Sequence, residues 1–161
     1  MSQSAPIDGF RGSVSGTTDD HAMAGSRLVV ITAGLPRTPG MSREDLLAAN
    51  AKIVGPMAER VAAIAPQAII IVVTNPLDVM VALTLQRTRF PRARVMGMAP
   101  VLDGARLRTF VAERLNVRPA DVHAMVLGSH GELMVPVVGS IRVKGQPATQ
   151  QIPSGELEAI V

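Results

Sequence analysis

From Ala68 to Val73 the chain runs six residues without a polar side chain, most of them β-branched, and then reaches Thr74-Asn75-Pro76. A strand with one solvated face alternates polar and apolar residues, whereas a strand covered on both faces does not. Ala68–Thr74 is therefore expected to be a buried strand of a parallel sheet. Arg27–Ala33 (RLVVITA) reads as a strand before it, and Arg94–Met98 as one after it. Between them the apolar spacing becomes helical. Ser42 is an N-cap with Asp45 three residues on, followed by Leu46, Ile53, Met57, Val61 and Ile64. Gly55-Pro56 is expected to interrupt and kink that helix. Asn75 is expected to cap another helix with Pro76 at its first position, and Asp103–Asn116 reads as an amphipathic helix. At the ends of the chain, Ser13–Gly16 is a short candidate strand and Glu156–Val161 begins a helix. Val122–Leu127 and Met134–Val143 are read as later strands, the second set an antiparallel hairpin. Alternating strand and helix through the middle indicates an α/β doubly wound domain.

Composition narrows the function classes. The 161 residues are enough for one domain with a real core, and 47% of them are hydrophobic, which excludes disorder. Aromatics are 2%, so the core must be built from Val, Ile, Leu, Met and Ala, with the nine Met residues as fillers. The pI of 10.5 is not a nucleic-acid signal. The net charge is only +3, no basic run occurs, and few aromatics exist for bases to stack on. The absence of cysteine excludes disulfides and thiolate metal sites and fits a reducing compartment. The longest apolar run is strand-sized, and MSQSAPIDG lacks the parts of a signal peptide. The expectation is a soluble cytoplasmic protein that binds neither nucleic acid nor membrane and holds no metal.

Three segments carry chemistry. In LGSHGELMVP, His130 lies between Gly128 and Gly131 in a turn after an apolar strand. Histidine titrates near neutrality and suits proton transfer. In VLDGARLR, Asp103 and Arg106 are three apart and share a helix face. By spacing alone a local salt bridge is the better reading; functionally, Asp103 would hold the far ring nitrogen of His130 while Arg106 takes a carboxylate. In GLPRTPGMSRED, Arg37 and Arg43 flank a Pro/Gly loop, either as solvated arginines or as part of a lid that closes on an anionic substrate. Asn75 at a strand end is either a plain helix cap or a ligand contact. Asn50 is by pattern no more than a polar helix residue. His21 and His123 have no partners at suggestive spacing.

Taken together, VVITAGLPRTPGMSREDLLAANAKIV, IVVTNPLDVM, GMAPVLDGARLRTF and LGSHGELMVP resemble the malate/lactate dehydrogenase family, in the family's order and over nearly the whole chain. The resemblance implies an NAD-dependent oxidoreductase that converts a 2-hydroxy acid to the 2-oxo acid by hydride transfer. It implies His130 as proton acceptor and Asp103 as its orienting carboxylate. Arg106 would clamp the substrate's C1 carboxylate, Arg43 would polarise the carbonyl, and Asn75 would touch both substrate and cofactor, with a cis bond to Pro76. Thr32, Ala33, Gly34, Asn50, Val73, Thr74 and Asn75 would line the nicotinamide half of the cofactor groove. Arg37 implies a dicarboxylate, malate or oxaloacetate, over lactate, because pyruvate's methyl would leave that charge unpaired. A dimer or tetramer and a place in the tricarboxylic acid cycle follow from the same resemblance. Pro100, Glu132 and Leu133 depart from the family pattern.

The chain holds no G-x-G-x-x-G, the turn that cradles a dinucleotide pyrophosphate. The expectation is therefore an internal fragment, with that motif upstream of Met1 and the C-terminal part cut. It would form a partial Rossmann-type sheet lacking its first two strands over residues 1–99, followed by the start of an α+β substrate domain over 100–161. The Arg27–Ala33 strand would then be a bare hydrophobic edge. A malate dehydrogenase with an incomplete chain is the first functional reading. A non-catalytic fragment or degenerate paralogue, and a lactate-type enzyme, are the alternatives.

Overall fold

The computed structural model describes residues 11–130 and 133–159. Three strands, β1 (Leu28–Ile31), β2 (Ile69–Val72) and β3 (Val95–Gly97), form a parallel sheet in that order. Leu28 lies opposite Ile69, and Ile70 opposite Val95. Ile31, Ile70, Val72 and Val95 are buried on one face. Helices α1 (Arg43–Ile64) and α2 (Leu77–Thr88) cover that face, contributing Val54, Val61, Leu77 and Met80 to a continuous apolar cluster.

The opposite face corrects an expectation. Leu28, Val30, Ile69 and Met96 alternate with the buried set and are 39–52% exposed. Ala68–Thr74 has the composition of a doubly covered strand but is covered on one side only among the described residues. As expected, β1 is an apolar edge, paired with β2 alone among the described residues. Ser13–Gly16 forms no strand; it is exposed backbone, since no described strand lies beside it to complete a ladder. The next segment is tied down instead, through a turn at Asp20–Met23 and an Asp20–Arg60 ion pair of 2.7 Å.

Local chemistry explains the helix boundaries. The Ser42 hydroxyl accepts the Asp45 amide at 3.0 Å, and the Asp45 carboxylate accepts the Ser42 amide at 3.0 Å, a complete capping box. Those hydrogen bonds from Ser42 hold the Asp45 carboxyl below its ordinary range. The expected interruption at Gly55-Pro56 does not occur, and α1 runs on through Pro56. Proline removes one hydrogen bond there, while Val54, Gly55 and Ala58 stay buried, so packing holds the turn. The Asn75–Pro76 bond is cis. Pro76, with ψ 117°, is the cap of α2 in place of Asn75, because its carbonyl already accepts the Met80 amide at 3.0 Å.

Helix α3 (Pro100–Leu115) starts three residues before Asp103, with Pro100 at its N-terminus, where a missing N–H costs nothing. That start sets Asp103 in the first turn. The expected strand Val122–Leu127 is split at Ala124-Met125 into β4 (Val122–His123) and β5 (Val126–Gly128), which join different sheets. β5 pairs antiparallel with β6 (Met134–Pro136), so the turn carrying His130 is the link of that pair. β4 pairs with β7 (Arg142–Val143), and β7 with β8 (Gln146–Pro147) through Lys144 and Gly145, both at positive φ. Helix α4 (Ser154–Ala159) sets Leu157 into a second apolar cluster with Leu107, Val111, Val122, Ile141 and Val143.

Candidate active site

The site begins at the first turn of α3. The Asp103 side chain is 5% exposed, with Oδ2 2.9 Å from His130 Nδ1 and Oδ1 3.4 Å from Arg106 Nη1. Asp103 thus contacts both the local arginine and the distant histidine. An ionised carboxylate only accepts, so the neutral imidazole carries its proton on Nδ1 and keeps a lone pair on Nε2. The turn before His130 depends on Gly128. Its φ is +85°, and a Cβ there would run into the Leu133 carbonyl.

His130 lines a cavity of about 100 Å³ with Val73, Asn75, Met98, Ala99 and Leu102. It also borders a wider cleft of about 510 Å³ that includes Asp78, Arg92 and Gly97. The first cavity lies at the C-terminal ends of β2 and β3, where ligands of such sheets bind. A basic nitrogen, a carboxamide and an apolar wall together can hold a small polar molecule and take a proton from it. Arg106, with its side chain 59% exposed, stands beside a separate cavity of about 90 Å³ lined by Leu107, Phe110 and Met134.

The ends of β1 and β2 are stitched together. The Thr74 hydroxyl donates to the Ala33 carbonyl at 2.8 Å. The Asn50 amide donates to the carbonyls of Asn75 at 2.6 Å and Leu35 at 3.2 Å, and its oxygen accepts the Leu35 N–H at 2.7 Å. Ala33, Gly34, Asn50, Thr74 and Asn75 thus meet along one seam, Val73 and Asn75 reach the His130 cavity, and Thr32 is an exposed residue next to Ala33. Arg37 and Arg43, like Arg106, stand apart from that cavity. Arg37 is exposed on the loop with Nε donating to the Met41 carbonyl at 3.1 Å, and Arg43 is an exposed residue at the start of α1; neither lines the His130 cavity. Met98, Ala99 and Leu102 form its wall and were not anticipated, although GMAPVLD follows a strand and its position was a usable signal. Leu133, a departure from the family pattern, is 75% exposed, and Glu132 lies outside the described residues.

Residues 1–97 match the model of the lactate/malate dehydrogenase NAD binding domain, and residues 101–158 that of the family's alpha/beta C-terminal domain. The malate dehydrogenase of Thermomicrobium roseum is 51% identical over 99% of this chain and 52% of its own length. That of Chloroherpeton thalassium is 52% identical over 100% and 52%. Among solved structures, the apo malate dehydrogenase of Picrophilus torridus superposes with a TM-score of 0.88 at 37% identity, covering 99% of this chain and 51% of that one. A Cryptosporidium parvum lactate dehydrogenase complexed with lactic acid and nicotinamide adenine dinucleotide gives 0.85 at 40% identity, covering 99% and 52%. The chain spans about half the length of the curated relatives it matches.

Proposed function

The chain belongs to the lactate/malate dehydrogenase family, and from that membership we propose that it carries the reaction centre of an NAD-dependent malate dehydrogenase. The observation that carries the proposal is the buried Asp103 carboxylate 2.9 Å from His130 Nδ1, at a cavity shared with Asn75. Nε2 of His130 takes the proton from the C2 hydroxyl of malate as the carbinol is oxidised. Asp103 stabilises the imidazolium that results. Arg106 binds the C1 carboxylate, which requires its guanidinium to turn from Asp103 to the substrate. The Asn75 amide orients the substrate oxygen, and Arg43 polarises the carbonyl when the loop closes. Arg37 pairs with the distal carboxylate and selects a dicarboxylate over a monocarboxylate.

The fit of NAD is supported by the seam of Ala33, Gly34, Thr74 and Asn75 running into the His130 cavity. Bound there, the nicotinamide supplies the hydride acceptor. A division into a cofactor unit over 1–99 and a substrate unit over 100–161 is supported by the two family models meeting near residue 100. A homodimer or homotetramer working in the cytoplasm, in the tricarboxylic acid cycle, is the setting that family membership supports.

The test is NADH oxidation with oxaloacetate and with pyruvate, for the parent and for Arg37→Gln. Expected is a preference for oxaloacetate that moves towards pyruvate in the variant; an unchanged ratio of the two rates overturns the dicarboxylate reading. A second reading rests on the lack of any G-x-G-x-x-G in the chain: a non-catalytic member of the family that keeps the site residues but binds NAD weakly or not at all. Saturable oxaloacetate binding with no NADH oxidation would favour it.

A further inference from the structure

Asn50 is 1% exposed, and its whole amide is engaged by backbone. Its oxygen accepts the Leu35 N–H at 2.7 Å, and its nitrogen donates to the carbonyls of Leu35 at 3.2 Å and Asn75 at 2.6 Å. A primary amide has two N–H donors, so none is left over for a ligand. The partners lie on two segments, the loop after β1 and the end of β2. The Thr74 hydroxyl closes the same seam by donating to the Ala33 carbonyl at 2.8 Å. Gly34 lies between these two ties. A Cβ on it would stand 2.5 Å from Thr74 Cγ2 and 3.1 Å from Asn50 Oδ1, so the approach of loop to strand requires glycine there.

Beyond Leu35 the ties become sparse. Arg37 Nε reaches the Met41 carbonyl, and the Met41 amide donates to the Thr38 carbonyl. The next fixed point is the capping box of Ser42 and Asp45. The arginine-bearing loop is thus strung between two posts, one made by Asn50 and one by Ser42.

We propose that Asn50 is a positioning residue: a clasp that fixes Leu35 to the Asn75 carbonyl and so sets the hinge from which the Arg37 loop closes towards the His130 cavity. It acts on substrate and cofactor through Asn75 and the loop. Asparagine suits the position because it alone offers one acceptor and two donors at that reach; an aspartate would face two carbonyl oxygens with a carboxylate. The part of this role that concerns closure rests on the dehydrogenase reading, whereas the clasp itself does not.

The test compares amide hydrogen exchange by NMR in the ligand-free 161-residue chain and its Asn50→Ala and Gly34→Ala variants. In Asn50→Ala the Leu35 amide is expected to exchange about tenfold faster, the scale of one lost hydrogen bond, with trypsin cleavage after Arg37 rising in step. The Val61 and Ile70 amides keep their rates. The Asn75 carbonyl ¹³C resonance shifts as its hydrogen bond is lost, a signature that mere space-filling by Asn50 would not give. An unchanged Leu35 rate, or one that rises only together with those of Val61 and Ile70, overturns the clasp. Should Asn50→Ala fail to fold, Gly34→Ala decides, since its added methyl wedges the loop away while leaving α1 intact. Faster Leu35 exchange there supports the clasp, and an unchanged rate overturns it. No substrate is present in these measurements, so failure of the clasp and failure of the dehydrogenase reading are separate results.

Discussion

Replacing Asp103 with Asn tests the pair at the centre of the site. The carboxylate accepts from His130 Nδ1 at 2.9 Å through one oxygen and from Arg106 at 3.4 Å through the other. Asparagine keeps a single acceptor, so its NH₂ must face one of those two donors. The guanidinium is 59% exposed and its contact with Asp103 is long at 3.4 Å, so it can turn to water at little cost. The amide oxygen therefore stays on Nδ1, and what is lost is the charge behind the bond. Hydrogen bonds to charged groups contribute about 1.5–3 kcal/mol. The His130 ring is 28% exposed, which puts this bond at the lower end, about 1.5 kcal/mol. A neutral hydrogen bond of about 1 kcal/mol survives in the variant, so a double-mutant cycle with Asp103→Asn and His130→Ala, read by chemical denaturation, is expected to return the difference, a coupling of about 0.5 kcal/mol. The ring's ¹⁵N spectrum should show the neutral form protonated on Nδ1. A coupling indistinguishable from zero, or a ring protonated on Nε2 in the parent, would refute the assignment.

Other consequences are open to the same treatment. Met80 is fully buried in the cluster beneath the sheet, and Met80→Ala is expected to lower the unfolding free energy by about 2–5 kcal/mol; a loss below about 1 kcal/mol would show the cluster to be loosely packed. Val30 is 50% exposed on the open face of the sheet, so Val30→Lys should alter stability by no more than about 0.5 kcal/mol while reducing concentration-dependent light scattering, and a large destabilisation would mean that the face is covered in solution. The Asp45 carboxyl titrates lower in the fold than its free value of 3.8, so its contribution is present above that value and lost as pH falls through the folded one. The stability advantage of the parent over Asp45→Asn should accordingly shrink on acidification, and an advantage that does not change with pH would contradict the capping box.

The features legible in the sequence were those set by local pattern. Ser42 with Asp45 specifies a helix start by its own hydrogen bonds, and the β-branched runs specify parallel strands. Asp103, Arg106 and His130 were recognisable as a set only through motif resemblance, since their spacing allowed a plain salt bridge as readily. Features that depend on more distant parts of the chain were less visible. Val122–Leu127 has the composition of one strand, yet Val122 pairs with Val143 and Val126 with Pro136, and that division is decided by partners elsewhere. Pro56 should break a helix by propensity, but burial of its neighbours outweighs one missing hydrogen bond. The open face of the sheet has an apolar sequence, and composition alone could not tell whether a second layer covers it. By spacing Asn50 is no more than a polar helix residue, and only the resemblance singles it out, because its partners lie in two backbone segments 15 and 25 residues away.

The most direct measurement is a titration of the chain with oxaloacetate, followed by NMR at the His130 ring and the Asn75 and Arg106 side chains. Saturable shifts at all three are expected; those at Asn75 and Arg106 are retained in His130→Asn, and those at His130 and Asn75 are abolished in Arg106→Ala, as befits a base that reacts and an arginine that binds. Shifts that never saturate, or that survive Arg106→Ala unchanged, would contradict the assignment of this cavity as the reaction centre.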